Sequence, residues 1–390
     1  MIRYFTAGES HGEALVGIVE GLPAGIPLSA AYIDRHLTRR WLGFGRGGRA
    51  KIEQDRIQIL SGIRHGLTMG SPIALRLENA AYHKDRSGWP TVMAVEPVQE
   101  EIEKVTLPRP GHADLVGALK YGFDDIRPVI DRASARETAM RVACASTARC
   151  LLEALGIHIV SHVVRIGAVG GEDDPKVERR VEELLAEGPE AFLKKVDASP
   201  ARMIDDEMTE RCIEHIEETR KAGDSLGGMY EVIVTGVPAG IGSYVQWDRK
   251  LDGRLAQAII SIQAQKAVEF GRGKLSAAVP GSQFHDEIVS TELRNGRSTN
   301  RAGGIEGGMS NGMPIIIRGY MKPIPTLIKP LGTVDLHSGE PQPTRYERSD
   351  VTSVPAASTV AEAVVAPVIA SAVLEKYGGD SLEELLSRFP

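Results

Sequence analysis

Two short segments set a histidine among turn-forming and hydrogen-bonding residues: Gly8-Glu9-Ser10-His11-Gly12 and Pro108-Arg109-Pro110-Gly111-His112. An imidazole titrates near physiological pH, so each ring is a candidate proton donor or acceptor. Glu9 and Ser10 are placed to set the tautomer of His11 by hydrogen bonds. Arg109 can hold an anion beside His112, and a protonated imidazole next to a phosphate is a good general acid for phosphate departure. A solvated turn histidine, or a loop histidine capping the next helix, would explain either segment taken alone.

Arginines gather in the same half: Arg39, Arg40, Arg46 and Arg49, then Arg127, Arg132, Arg136 and Arg141. Acids concentrate in 171–224, and the formal net charge is −6. Local cationic patches in an acidic chain suit a small anion better than a nucleic acid, which favours a broad basic face. Gly43 to Arg49 lacks the Gly-Lys-Ser/Thr end of a P-loop. It also follows a helical pattern rather than a strand, which argues against a dinucleotide fingerprint. It reads as an arginine-bearing flap over an anion.

Arg132-Ala133-Ser134-Ala135-Arg136 leads into an apolar helix whose free N–H groups would add an anion site. Ser134-x-x-Glu137 and Thr359-x-x-Glu362 both read as capping boxes. Lys322-Pro323-Ile324-Pro325-Thr326 is a stiff loop with a cation at its head, or a plain connector. Asp350, after Arg348-Ser349 and before a second apolar helix, is a cap or a base. The histidines show no zinc-ligand spacing, so no metal is assigned.

These residues must be held by a sizeable fold. The chain has 390 residues, 42% hydrophobic and 25% charged, as in ordinary soluble domains. Its three cysteines form no Cys-x-x-Cys pair, which suits a reducing compartment, the cytoplasm. No signal-peptide pattern is expected in the opening residues, since Met1-Ile2-Arg3-Tyr4 runs straight into a predicted strand. The longest uncharged apolar run, Ala363 to Leu374, falls short of the ~20 residues of a membrane span and reads as a core helix kinked at Pro367.

Patterning predicts strands at 2–6, 13–20, 56–60, 72–78, 157–167, 229–236 and 313–318. Helices are expected at 29–41, 97–105, 113–122, 135–154, 250–269 and 359–377.

The two halves share motifs in one order. Gly21-Leu22-Pro23-Ala24-Gly25-Ile26 recurs as Gly236-Val237-Pro238-Ala239-Gly240-Ile241, and Phe44-Gly45-Arg46-Gly47 as Phe270-Gly271-Arg272-Gly273. Gly62 to Arg76 aligns without gaps on Gly304 to Arg318, with Gly307 where the first half has His65. The pattern predicts an internal duplication, about 1–160 and 228–380. A charged helical hairpin between them, about 170–227, would use Val177–Glu187 and Glu207–Lys221. The expected fold is α/β: a β-α-β sandwich of antiparallel sheets with buried helices between them, built from the two repeats.

Together, Gly8–Gly12, Arg39–Arg49, Pro108–His112, Arg132–Arg141, Gly304–Gly312, Lys322–Thr326 and Arg348–Asp350 resemble chorismate synthase, in order, to about residue 377. The segment 170–227 is the least family-like. The resemblance implies a 1,4-elimination of phosphate from 5-enolpyruvylshikimate 3-phosphate, giving chorismate in the shikimate pathway. It implies reduced FMN without net redox change, NADPH as a candidate reductant, and a homotetramer.

By resemblance His112 assists phosphate loss, His11 stabilises the reduced flavin by proton donation, and Asp350 works with the flavin N5 to remove the second ring hydrogen. FMN contacts carry over to Arg132, Ala133, Ser134, Gln263, Ala264, Gly308, Lys322, Pro323, Ile324, Pro325, Thr326 and Arg348. Arg40, Arg46, Arg49 and Arg109 carry over as substrate or NADP contacts. Ala133 stands where serine is frequent, and Gln263 where asparagine is frequent. The residues alone leave two other classes open. A non-catalytic anion or RNA binder would show salt-dependent oligonucleotide binding. A flavoenzyme with net redox turnover would consume reductant stoichiometrically. The resemblance implies a small anionic substrate, with neither nucleic-acid nor membrane partner.

Overall fold

The computed structural model describes residues 1–45, 55–83, 88–291, 296–345 and 350–390. Alternation along β1 (Arg3–Ala7) and β2 (Ala14–Glu20) turns Leu15 and Val19 inward and Val16 and Ile18 outward. With β3 (Ile57–Ile59) and β6 (Ile73–Glu78) they form an antiparallel sheet of order β1-β2-β6-β3. A hairpin of β4 (Ile63–Arg64) and β5 (Leu67–Thr68) lies beside it. The second sheet uses β7 (His158–Ile166), β8 (Val169–Gly170), β9 (Gly228–Thr235), β10 (Gln265–Phe270) and β13 (Ile315–Met321). Its order is β10-β13-β9-β7-β8, also antiparallel, with a hairpin of β11 (Ile305–Glu306) and β12 (Met309–Ser310) beside it.

Helices fill the space between the sheets. Helix Glu137–Ala154 packs on β1, β2 and β6, and helix Val354–Tyr377 on β7, β9 and β13. The two helices pack on each other, flanked by helices Ala30–Arg40 and Leu251–Ile260. Their Ala and Ser content lets backbones approach closely, and the apolar surface buried there is the main core. Helix Val354–Tyr377 is long and apolar enough to cross a membrane, but 89% of its most apolar window is buried inside the protein.

Equivalent turns close both sheets. Thr68 Oγ1 accepts from Ile26 N–H (2.9 Å) and donates to the Pro23 carbonyl (2.7 Å). Ser310 Oγ accepts from Ile241 N–H (2.9 Å) and donates to the Pro238 carbonyl (2.6 Å). His65 and Gly307, matched in the sequence alignment, both have positive φ, at 50° and 60°. β7, which a division at residue 160 would split, lies wholly in the second sheet.

Four expectations need correction. No helix forms at 97–105: the Val105 N–H and carbonyl are taken by Asp125 and Ile126, and the Thr106 carbonyl accepts from Leu336, so the backbone at the end of the segment bonds to other parts of the chain rather than within a helix. The helix expected at 250–269 ends at Ile260, because Gln265–Phe270 pairs with β13 as a strand. The 170–227 segment has three helices rather than two: Pro175–Glu187, Pro189–Ala198 and Asp206–Lys221. Neither capping box forms. Helix Glu137–Ala154 has Arg136 at its N-cap without a side-chain cap, while Thr359 and Glu362 lie inside a helix that begins at Val354. Both glutamates are taken by arginines instead.

Candidate active site

The Gly8–Gly12 loop joins β1 to β2, and Gly8 has a φ of +102° where an added Cβ would lie 2.4 Å from the Ala14 carbonyl. His11 Nδ1 sits 2.6 Å from Asp131 Oδ1. The Ser10 hydroxyl donates to the same oxygen (3.1 Å), and Ser10 N–H donates to the Asp131 carbonyl (3.1 Å). Asp131 is buried, and the Trp89 ring meets the His11 ring edge-on, 4.1 Å between centroids. Asn79 closes the loop from below by donating to the Glu9 and Gly12 carbonyls, and it accepts from buried Arg136 (2.9 Å).

His112 has a parallel arrangement. Its Nδ1 contacts Oδ1 of fully buried Asp114, the first residue of helix Asp114–Tyr121. Arg109 donates to Asp114 Oδ2 through Nε (2.8 Å) and its backbone N–H (3.0 Å). Burial pushes the Asp114 carboxyl up. Hydrogen bonds from His112 and Arg109 outweigh that and hold it well below the usual carboxylate range.

A chain of contacts links the two histidine loops through residues carried over for the flavin. Arg132, next to Asp131, donates to the Thr6 carbonyl (3.1 Å). Thr6 donates to Glu137 (2.7 Å), and Gln263 donates to the other oxygen of Glu137 (3.2 Å). The Ala264 carbonyl accepts from Lys322 N–H (3.0 Å). Lys322 Nζ donates to the Gly111 carbonyl, and Arg109 donates to Thr326 (3.2 Å). Burial and nearby Lys266 push the Lys322 ammonium pKa down.

The other assigned residues distribute as follows. Ala133 and Ser134 are half-buried beyond helix Arg127–Arg132, with Ser134 Oγ accepting from Arg136 N–H (3.3 Å). Arg40 is buried and donates to Thr138 (2.9 Å) and the Ala135 carbonyl (2.8 Å), which puts it at the same helix entrance. Pro323, Ile324 and Pro325 lie in the loop between Lys322 and Thr326, where Ile324 accepts from Ser225 (2.7 Å). Asp350 Oδ2 accepts from the Ser353 hydroxyl (3.1 Å), the local turn bond expected of a cap. Val351 N–H donates to the Gly45 carbonyl (2.9 Å), so Asp350 stands beside the entry to the glycine–arginine flap. Gly308 is not brought in. Its carbonyl accepts from Leu251 N–H (2.9 Å) at the start of helix Leu251–Ile260, whereas Gln263 follows the far end, a helix length of ~15 Å away. Arg46, Arg49 and Arg348 lie outside the described residues.

Sequence reading missed Asp114, Asp131 and Trp89. Asp114 was findable, since it stands two residues from His112. Asp131 is 120 residues from His11, between Ile130 and Arg132, and no spacing rule connects the pair. Ala264, carried over for the flavin, gains a feature that only the structure gives. It is a non-glycine residue at φ +66°, strain of the kind that clusters at functional sites.

Comparisons with known proteins point to one family. The chorismate synthase family model matches residues 2–374. A chorismate synthase from Salinibacter ruber is 62% identical over 388 residues, covering 98% of this chain and 96% of the relative. One from Chlorobaculum tepidum is 54% identical, covering 100% of this chain and 96% of the relative. A solved crystal structure of chorismate synthase superposes with a TM-score of 0.78 at 40% identity, over 100% of this chain and 96% of that one. The chain therefore belongs to the chorismate synthase family, and its activity is that family's lyase reaction.

Proposed function

We propose that the contiguous surface from His11 to Arg109 is where 5-enolpyruvylshikimate 3-phosphate loses phosphate by 1,4-elimination. The observation that carries this is the unbroken run of contacts Asp131/Arg132–Thr6–Glu137–Gln263/Ala264–Lys322–Gly111/His112. Its hydrogen bonds link the loops that carry two imidazoles and three cations, Arg132, Lys322 and Arg109.

Reduced FMN fits this surface. Gln263 Oε1 is buried with no hydrogen-bond partner, so an acceptor waits for a donor. Lys322 is a cation whose charge burial disfavours, which an anionic group would relieve. Arg132, Ala133, Ser134, Gln263, Ala264 and Lys322 to Thr326 would hold it. When bound, the reduced flavin supplies electron density that helps expel phosphate.

The chain's own groups then do the following. Arg109, anchored by Asp114, binds substrate anion beside His112. His112 gives a proton to the departing phosphate oxygen. His11 holds a proton beside the cofactor. Asp350 takes part in removing the second ring hydrogen. NADPH is proposed as the reductant, with Arg40 and the arginines of the flap as its further contacts.

A homotetramer is the proposed assembly, supported by the apolar outer face of the first sheet, where Phe5, Val16 and Ile18 are exposed in adjoining register. A cytoplasmic location is supported by three buried free cysteines, with Cys150 and Cys212 pushed up to about 12 by burial. An internal duplication is supported by the matching orders β1-β2-β6-β3 and β7-β9-β13-β10 and by the Thr68 and Ser310 turns. Its second unit is best begun at β7, with the three-helix segment inserted inside it. Failure of 1–154 to superpose on 158–377 in a crystal structure would remove that idea.

His112→Ala should cut turnover about 10²–10⁴-fold while reduced FMN still binds. Phosphate release and flavin absorbance measure the two. Near-normal turnover would end the acid assignment.

A further inference from the structure

We propose that Asp114 and Asp131 are positioning residues that fix the Nδ1–H tautomer of His112 and His11, so that Nε2 is the proton-exchanging atom of each ring. The proposal rests on the assignment of His112 as the acid and deepens it.

The geometry at His112 allows one hydrogen arrangement. Asp114 is fully buried and ionised, and an ionised carboxylate only accepts. Its Oδ1 lies within hydrogen-bonding reach of Nδ1, so the proton between them belongs to the ring. Two facing lone pairs at that separation would repel. Arg109 Nη2 is 3.1 Å from Nδ1, but both atoms carry hydrogens, so this approach is no bond. Both instead converge on Asp114 Oδ1, which Nη2 reaches at 3.2 Å.

His11 repeats the pattern with unrelated parts. His11 Nδ1 lies 2.6 Å from Asp131 Oδ1 and 2.7 Å from Ser10 Oγ. The Ser10 hydroxyl spends its hydrogen on Asp131 Oδ1 (3.1 Å), so its oxygen can only accept, and an Nδ1–H satisfies both neighbours of the ring nitrogen. Asp114 and Asp131 sit on two short helices that touch where Gly117 meets Val129. An added Cβ at Gly117 would lie 2.4 Å from a Val129 methyl, so the pair of helices is closely set.

The proton balance is simple. His112 Nε2–H passes to the phosphate oxygen as the carbon–oxygen bond breaks. The ring is left neutral with Nδ1–H still on Asp114, and Nε2 reloads from solvent. Asp114 itself never takes the proton.

A purely structural role for Asp114, holding Arg109 and the helix start, predicts a different result in a double-mutant cycle. Asp114→Asn should lower the turnover number on the order of 10²-fold or more in the otherwise unchanged enzyme. Without the carboxylate the imidazolium is less stabilised, so the alkaline limb of the pH profile should move to lower pH. In a His112→Ala background the same substitution should change turnover by less than about twofold. Equal losses in both backgrounds, with an unmoved limb, would overturn the proposal while leaving His112 as the acid. Full turnover by His112→Ala alone would overturn the acid assignment first. Should Asp114→Asn fail to fold, Asp131→Asn in His11 and His11→Ala backgrounds makes the same test. There the lost carboxylate leaves no arginine behind, and additive losses count against the proposal.

Discussion

The first connection in each sheet is used differently. Between β1 and β2 the chain takes only the Gly8–Glu13 turn, and that turn carries His11. Between β7 and β9 it inserts β8 and three helices. Val181, Leu184, Phe192 and Val196 from those helices pack on Val160 and Ile233, covering the outer face of the second sheet. The outer face of the first keeps Phe5, Val16 and Ile18 exposed. The first sheet thus carries a short loop of the candidate site, while the second has its outer face covered by a second small core. Cross-strand partners differ between the two sheets as well. Val16 lies opposite Arg76 in the first, whereas Glu231 lies opposite Arg318 in the second.

The sharpest contrast is between the two core helices. Glu362 is fully buried and accepts from Arg39 (2.7 Å), Arg149 (2.8 Å), Arg202 (3.2 Å) and Ser161 (2.6 Å). Arg202 comes from the inserted segment, so this cluster ties the insertion to the sandwich. Glu362→Gln strands arginines in the core and should cost about 3–5 kcal/mol, read as a lower urea midpoint at constant slope. Glu137, on the partner helix, bonds Thr6, Arg141 and Gln263 beside the candidate site. Glu137→Gln should lose much less stability and more flavin affinity. Equal destabilisation by both would erase the contrast.

Much of this was legible in residues. Strands with clean alternation, such as Ala14–Glu20, and helices with one apolar face, such as Ala30–Arg40, fell where periodicity put them. The 97–105 helix failed because periodicity carries no information on whether a segment docks by its backbone. The strand Gln265–Phe270 was masked by the helix pattern running into it, since its pairing with β13 is a tertiary fact. In the site, the His112 group is local, spanning Arg109 to Asp114, and its outline could be read. The His11 group closes across 120 residues, and a single sequence cannot reveal such a contact.

Arg318→Met is the next test. Arg318 Nε donates to Glu231 (2.8 Å), and the pair is buried. Removing the guanidinium leaves His162 to support the carboxylate, so a loss near about 3 kcal/mol is expected. Burial raises the Glu231 carboxyl, but His162 and Arg318 outweigh it and hold it at about 2. A folded pKa below the unfolded one gives stability that is complete above the unfolded value, near ~4.3, and is lost as pH falls toward the folded one. Glu231→Gln should therefore flatten the acid-unfolding curve between roughly pH 5 and 2. An unchanged acid limb would mean that Glu231 is not held in that form.

The turns at Thr68 and Ser310 should behave alike, being built from the same bonds. Thr68→Val and Ser310→Ala each leave a buried backbone N–H and carbonyl without their hydroxyl partner, costing about 1–3 kcal/mol. A difference above about 1 kcal/mol between them would argue that the two turns are equivalent in shape but not in environment.

Arg76→Met should do least, although Arg76 aligns with Arg318 in the sequence. It donates to Glu78 (2.5 Å) and Glu13 (2.8 Å), both of which remain well exposed to water. Water already solvates those carboxylates, so losing the arginine strands no buried charge. The expected change is about 0–1 kcal/mol, and it should shrink further in high salt, where exposed pairs are screened. A loss as large as that of Arg318→Met would mean that the open face of the first sheet is covered in solution, with the arginine buried against another copy of the chain. Measuring the variant across a range of protein concentrations separates the two outcomes, because only a covered face gives a concentration-dependent penalty.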